Sequence, residues 1–135
     1  MVHSLNNVAV AVLISVATAF FTNRLLARAL GEKRTALAAP FTEEIAKTVP
    51  AVLLHCSILA THVLFGLVEA VYDLNRSAEG GPAAAIASLG GHAVVGGATA
   101  WVAANTGSIA LALGAGIVLH LAWNLMVTGG VRSGA

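Results

Sequence analysis

Six side chains carry the chemistry that this sequence offers: Glu43, Glu44, Glu69, His92, His120 and Asn124. The first two stand in Thr42-Glu43-Glu44-Ile45-Ala46-Lys47, shortly after Pro40. Thr42 in that setting predicts a helix N-cap, which puts both glutamates in the first turn. Glu43 and Lys47 are then neighbours on one face and can pair. Read plainly, the segment is an interfacial helix start with a surface salt bridge. Glu69 closes Phe65-Gly66-Leu67-Val68-Glu69, one turn from an aromatic near the end of an apolar run. It serves there either as a reactive acid or, with Asp73, as a cap on the helix end. His92 lies in a run otherwise made of Ala, Gly, Val and Leu, and His120-Leu121-Ala122-Trp123-Asn124 stacks an imidazole and a carboxamide on one helical face. Taken singly, each of these residues can be hydrogen-bonding glue between helices. Taken together they exceed what packing needs, because an ionisable group at membrane depth costs at least a few kcal/mol and usually has a functional reason. His62, one turn before Phe65, is a reserve candidate, whereas His55 reads as structural.

The elements that must position these groups are apolar helices. Of the 135 residues, 58% are hydrophobic and 10% charged, against roughly 25% charged in a soluble domain. Four stretches approach the roughly 20 residues that a helix needs to cross a bilayer core: Val2–Phe21, Ala51–Tyr72, Pro82–Ala104 and Ser108–Thr128. They lack the strict alternation of a β-barrel and are rich in Ala and Leu. The expected fold is therefore an all-α integral membrane bundle of about four transmembrane helices, forming one domain over residues 1–135. Positive charges follow the first apolar stretch, which reads as a span and not as a signal peptide. Gly90, Gly91, Ala93, Gly96, Gly97 and Ala100 give the third span a face of small residues on which another helix can pack closely.

Charge sets orientation and excludes partners. Five of the seven Lys and Arg residues lie between Arg24 and Lys47, so the positive-inside rule puts that segment in the cytoplasm. With four spans, the N-terminus, the Asp73–Gly81 loop and the C-terminus then face outward, with Arg76 and Arg132 as counter-evidence. A net charge of +1 and the lack of any basic cluster interleaved with aromatics exclude nucleic acid as a partner. One cysteine, Cys56, excludes an internal disulfide and a cysteine-based metal cluster.

In chain order the motifs resemble those of the CPBP superfamily of intramembrane proteases, which includes CAAX-processing endopeptidases and PrsW-like proteases. That superfamily shows Glu-Glu followed by Lys or Arg, then Phe-x-x-x-Glu or Phe-x-x-x-His, then an isolated His, then His-x-x-x-Asn. The matching residues are Glu43, Glu44 and Lys47; Phe65 and Glu69; His92; and His120 with Asn124, over roughly Pro40 to Val127. Glu in the second motif together with Lys47 looks more like the PrsW branch. The resemblance implies hydrolysis of a membrane-anchored protein substrate in lipid, in a prokaryotic cytoplasmic membrane. It casts Glu43 or Glu44 as general base, Glu69 and His92 as holders of a water or a metal, and His120 with Asn124 as donors to the oxyanion. Carboxylate and imidazole ligands such as Glu69, His92 and His120 would also suit zinc.

This reading sets a geometric condition. Glu43 and Glu69 are 26 residues apart, about 39 Å along one straight helix. For an enzyme the chain must reverse between them, at Pro50 or at His55-Cys56-Ser57. Without a reversal, the same helices suit a catalytically silent subunit docked in a larger membrane complex or homo-oligomer, or a small metal or cofactor binder using His62, His92 and His120. Glu43 or Glu44 within about 5 Å of both His92 and His120 separates these readings, because only then can they share a water.

Overall fold

The computed structural model describes residues 5–76 and 81–132; the expected span residues 2–4, the loop residues 77–80 and the tail residues 133–135 lie outside them. Five helices and no strand occur among the described residues: α1 (Leu5–Leu30), α2 (Glu32–Leu53), α3 (Ile58–Arg76), α4 (Gly81–Thr106) and α5 (Ile109–Arg132). Four of them, α1, α3, α4 and α5, are long and apolar enough to cross a membrane, as expected for an integral membrane bundle.

The fifth helix is the polar one, and it corrects the expected boundaries. Its start is Glu32, so Thr42 is no N-cap; it lies inside α2, with its hydroxyl donating to the Ala39 carbonyl at 3.0 Å. Glu43 and Glu44 are consequently in the middle of a helix of 22 residues. Neither Pro40 nor Pro50 interrupts it; both lie inside α2, so Pro50 is not where the chain reverses. The expected second span, Ala51–Tyr72, is divided between α2 and α3.

The reversal falls at 54–57. His55 adopts a left-handed φ of 50°, and the Leu54, His55 and Cys56 amides donate back to the Pro50, Val52 and Ala51 carbonyls. Ser57 then caps α3 by accepting from the Ala60 amide at 3.1 Å. At the other end, Gly31 turns α1 into α2 with a φ of 79°, a conformation that suits glycine.

α2 runs antiparallel to α1 along most of its length. The Asn7 carboxamide donates to the Leu54 carbonyl at 2.8 Å, the Ser15 hydroxyl to the Ala46 carbonyl at 2.7 Å, and the Asn23 carboxamide to Glu43 at 2.7 Å. It is also an inverted amphipath: Leu37, Phe41, Ile45 and Leu53 are exposed, while Glu43, Glu44, Lys47 and Thr48 are buried. A helix with apolar side chains outward and charges inward is built for lipid surroundings. Near the 54–57 turn, Val8, Ala11, Val12, Ala51 and Cys56 form an apolar cluster.

Consecutive helices alternate in direction, which revises the sidedness. Contacts from Glu69 and Asp73 to His92 and Ser88 make α3 and α4 antiparallel, and the Gly107 turn reverses α4 into α5. With α2 threading back, the helix ends at Arg76 and Arg132 come to the same end as Arg24, Arg28, Lys33 and Arg34. The end of α3, the start of α4 and the end of α5 therefore lie at the same end of the bundle as the Arg24–Arg34 segment, the end that the positive-inside rule predicts to be cytoplasmic, and not at the opposite one. Arg76 and Arg132, which oppose the four-span arrangement, agree with this one, and every Lys and Arg except Lys47 lies near one end.

Single cysteines at Gly31, Asp73 and Arg132 should thus react with an impermeant maleimide only from the cytoplasmic side, and one at Gly107 only from the opposite side. Labelling of Asp73 and Gly31 from opposite sides would contradict the threading of α2. The small-residue face of α4 is divided in the same way by its neighbours. A Cβ on Gly96 would collide with the His62 side chain, and one on Gly91 would come within 2.5 Å of Trp123 Nε1, whereas Gly90 and Gly97 have open space. Gly96→Ala should cost about 1–3 kcal/mol through overpacking, measured by thermal unfolding in detergent, while Gly97→Ala should leave stability nearly unchanged.

Candidate functional site

Lys47 and Glu44 form the buried centre of the site. Both side chains are fully buried, and Lys47 Nζ stands 2.6 Å from Glu44 Oε1. Lys47 also donates to His92 Nδ1 at 3.0 Å and lies 4.9 Å above the centre of the Phe65 ring, a cation–π arrangement that is strongest when water is excluded. Phe65 thus has a defined task in its motif, and Gly66 beside it has another. A Cβ at Gly66 would approach the His92 Cβ to 2.8 Å, so the missing side chain lets α4 bring His92 into place.

The other oxygen of Glu44 points away from the histidines of the site. Its Oε2 is 3.8 Å from His62 Nδ1, and both atoms are buried without a hydrogen-bond partner among the described residues. His62 Nε2 lies 3.3 Å from the Thr48 hydroxyl. The Glu44 Oε1 that holds Lys47 also accepts from His120 Nδ1 at 2.8 Å. His120 Nε2 consequently faces outward to Glu43, with Oε2 at 3.7 Å.

Glu43 has a different setting from Glu44. It is held by Asn23 of α1 and borders an inner cavity of about 220 Å³ together with Glu69, Asp73, His92, His120 and Asn124. The His92 and His120 rings meet edge to face with centroids 5.1 Å apart, so both histidines point into the bundle. All six residues singled out by the sequence are therefore gathered here. Five border the inner cavity and Glu44 lies behind it, bonded to His120. The geometric condition is met, since one ligand atom from each of Glu43, His92 and His120 lies within 4.8 Å of the other two.

Those three residues could close on a metal ion, a set in which Glu43 stands where the sequence reading had Glu69. Zinc bonds to nitrogen and oxygen of about 2.0–2.2 Å are within reach after small rotations. The direction of the hydrogen bonds argues the other way. A lysine paired with a buried carboxylate offers only donors, so His92 Nδ1 must accept, and the ring proton belongs on Nε2, where it donates to Glu69 Oε2 at 2.5 Å. Metal-bound histidines instead donate their second N–H to an acceptor. Lys47 occupies the place of that acceptor, and the residues present do not fit zinc at His92.

Asn23 is the site residue that the sequence reading missed; a single polar residue one turn from the basic end of α1 gave little signal. His62 bonds Thr48, lies 3.8 Å from Glu44 Oε2 and does not border the inner cavity, and His55 lies at the distant turn. Comparison with protein-family models, with curated proteins and with solved structures gives no match.

Removing the cation leaves Glu44 buried and uncompensated, so Lys47→Met should cost about 3–5 kcal/mol, measured by thermal unfolding in detergent. Combining it with Glu44→Gln should cost clearly less than the two separate losses added together, the non-additivity expected of partners in contact.

Proposed function

We propose that the protein is an intramembrane endopeptidase of the PrsW-like branch of the CPBP superfamily, acting on a membrane-anchored protein substrate in a prokaryotic cytoplasmic membrane. One observation carries the reading: Glu43 and His120 Nε2 face each other across 3.7 Å at the wall of a cavity inside an apolar bundle. A carboxylate oxygen and an imidazole nitrogen at that separation are placed for a single water to bridge them.

Glu43 is the general base and Glu44 is not. Glu44 is fully buried and its Oε1 is engaged by Lys47 and His120, while Glu43 faces the cavity. In the proposed step Glu43 takes a proton from the water as its oxygen bonds to the scissile carbonyl carbon. The negative charge then formed on the carbonyl oxygen is stabilised by the Asn124 carboxamide, a contribution often worth about 3–4 kcal/mol in low-dielectric sites. Glu43 returns the proton to the amide nitrogen as the C–N bond breaks. Glu44 fixes the His120 tautomer, Lys47 fixes that of His92, and Glu69 anchors the His92 N–H. No step runs through a metal.

The test is cleavage of a quenched membrane peptide by the purified protein in lipid. Glu43→Gln should lower the rate by about 100-fold or more, with an unchanged unfolding temperature, whereas chelators should leave the wild-type rate unaltered. Wild-type activity in the Glu43→Gln variant would defeat the assignment of the base, and activity that falls on chelation and returns with zinc would replace the metal-free step.

A further inference from the structure

A second, larger cavity borders two of the same carboxylates, Glu43 and Glu69. It measures about 710 Å³ and is walled by α1 (Val16, Phe20, Arg24), α3 (Phe65, Val68, Tyr72) and part of α2. Glu43 and Glu69 border both cavities, so a chain lying in the outer groove reaches the reactive carboxylate without crossing the helices. The α1 wall runs from Val16 to Ala27, about 16 Å at helical rise. That length matches about five residues of extended polypeptide.

Apart from the Glu43 and Glu69 carboxylates and the polar Asn23 and Thr35, the groove is lined by apolar side chains, and Arg24 is the one cation among its lining residues. Arg24 is exposed in it and forms no ion pair among the described residues. Its neighbour Asn23 is the residue that holds Glu43. A carboxylate bound by Arg24 therefore lies within a few residues of the peptide bond presented to Glu43. The groove also continues past Arg24 to Ala27 and Thr35. A segment lying there extends beyond its carboxylate, as with a side chain, and does not stop at it, as with a chain terminus.

We infer that this groove binds the substrate as an extended, mostly apolar segment of a membrane polypeptide, and that Arg24 selects one Asp or Glu side chain on the cytoplasmic side of the scissile bond. The inference rests on the endopeptidase reading, but binding tests it separately. The probes are amidated, acetylated peptides of one apolar sequence bearing Glu, Gln or Lys at a single position, each with a fluorophore and a quencher. They are added to the full chain in nanodiscs of neutral phosphatidylcholine. By fluorescence anisotropy the wild type should bind the Glu peptide at least tenfold more tightly than the Lys peptide. Arg24→Gln should level the preference and Arg24→Glu should invert it. The inverted preference also shows that the variant is folded.

An unchanged preference in Arg24→Glu overturns the inference, as does failure of the wild type to bind any of the peptides. Charge-dependent binding without cleavage sustains the groove and defeats the endopeptidase reading. Cleavage that is indifferent to Arg24 does the reverse. Native mass spectrometry from discs containing phosphatidylglycerol supplies the remaining outcome. Retention of that lipid by the wild type but not by Arg24→Glu, with no peptide preference, assigns the groove to an anionic lipid and overturns the inference.

Discussion

The bundle is organised around one buried ion pair. Lys47 and Glu44 have no exposure, and either charge alone in such surroundings would cost several kcal/mol. Neither is left with a single partner. Lys47 reaches Glu44, His92 and the Phe65 ring, while Glu44 also holds His120. These contacts tie α2 to α3, α4 and α5, so the pair fixes three helix positions that apolar packing alone leaves free. Lipid solvates leucine as well as a neighbouring helix does; the polar contacts therefore supply much of the specificity.

The same pair explains why α2 is placed as it is. A helix carrying Glu43, Glu44 and Lys47 is excluded from lipid unless its charged face is covered, and the other helices cover it. Its outward stripe of Leu37, Phe41 and Ile45 is what lipid then meets. The inward polar face in turn forces the reversal at 54–57, since only a chain that turns back can bring Glu69 level with Glu43. The cationic end of the molecule follows from this alternation, with the ends of α3 and α5 beside the Arg24–Arg34 turn.

Much of this was legible in the sequence, for identifiable reasons. The apolar helices declare themselves by length, and Glu43, His92 and His120 by standing out against apolar neighbours. The His55-Cys56-Ser57 stretch was one of two places expected to reverse the chain, whereas the start of α3 at Ile58 was not, since the second span was expected to run from Ala51. The extent of α2 was not legible. Pro40 followed by Thr42 imitates a helix start, and the charged residues lower the hydropathy of a helix whose outer face is as apolar as that of its neighbours. Asn23 was invisible because its importance lies in a contact with a residue 20 positions away.

The two adjacent glutamates show how one helix can supply two different surroundings. Successive residues on an α-helix are turned about 100° apart, so Glu43 and Glu44 cannot share surroundings. Glu44 is turned into the bundle, against Lys47 and His120, where its charge is compensated and it has no access to the inner cavity. Glu43 is turned toward α1, where Asn23 satisfies one oxygen and the other faces His120 Nε2 and the cavity. A base has to gain and lose a proton during a reaction, and a carboxylate bound to a buried ammonium gives up its negative charge only at great cost. The division of roles proposed for the two glutamates therefore rests on helix geometry and on the position of Lys47. The same lysine, by claiming the Nδ1 lone pair of His92, sets the donor direction of that ring and keeps its other nitrogen turned to Glu69 as a donor, unsuited to ligate a metal.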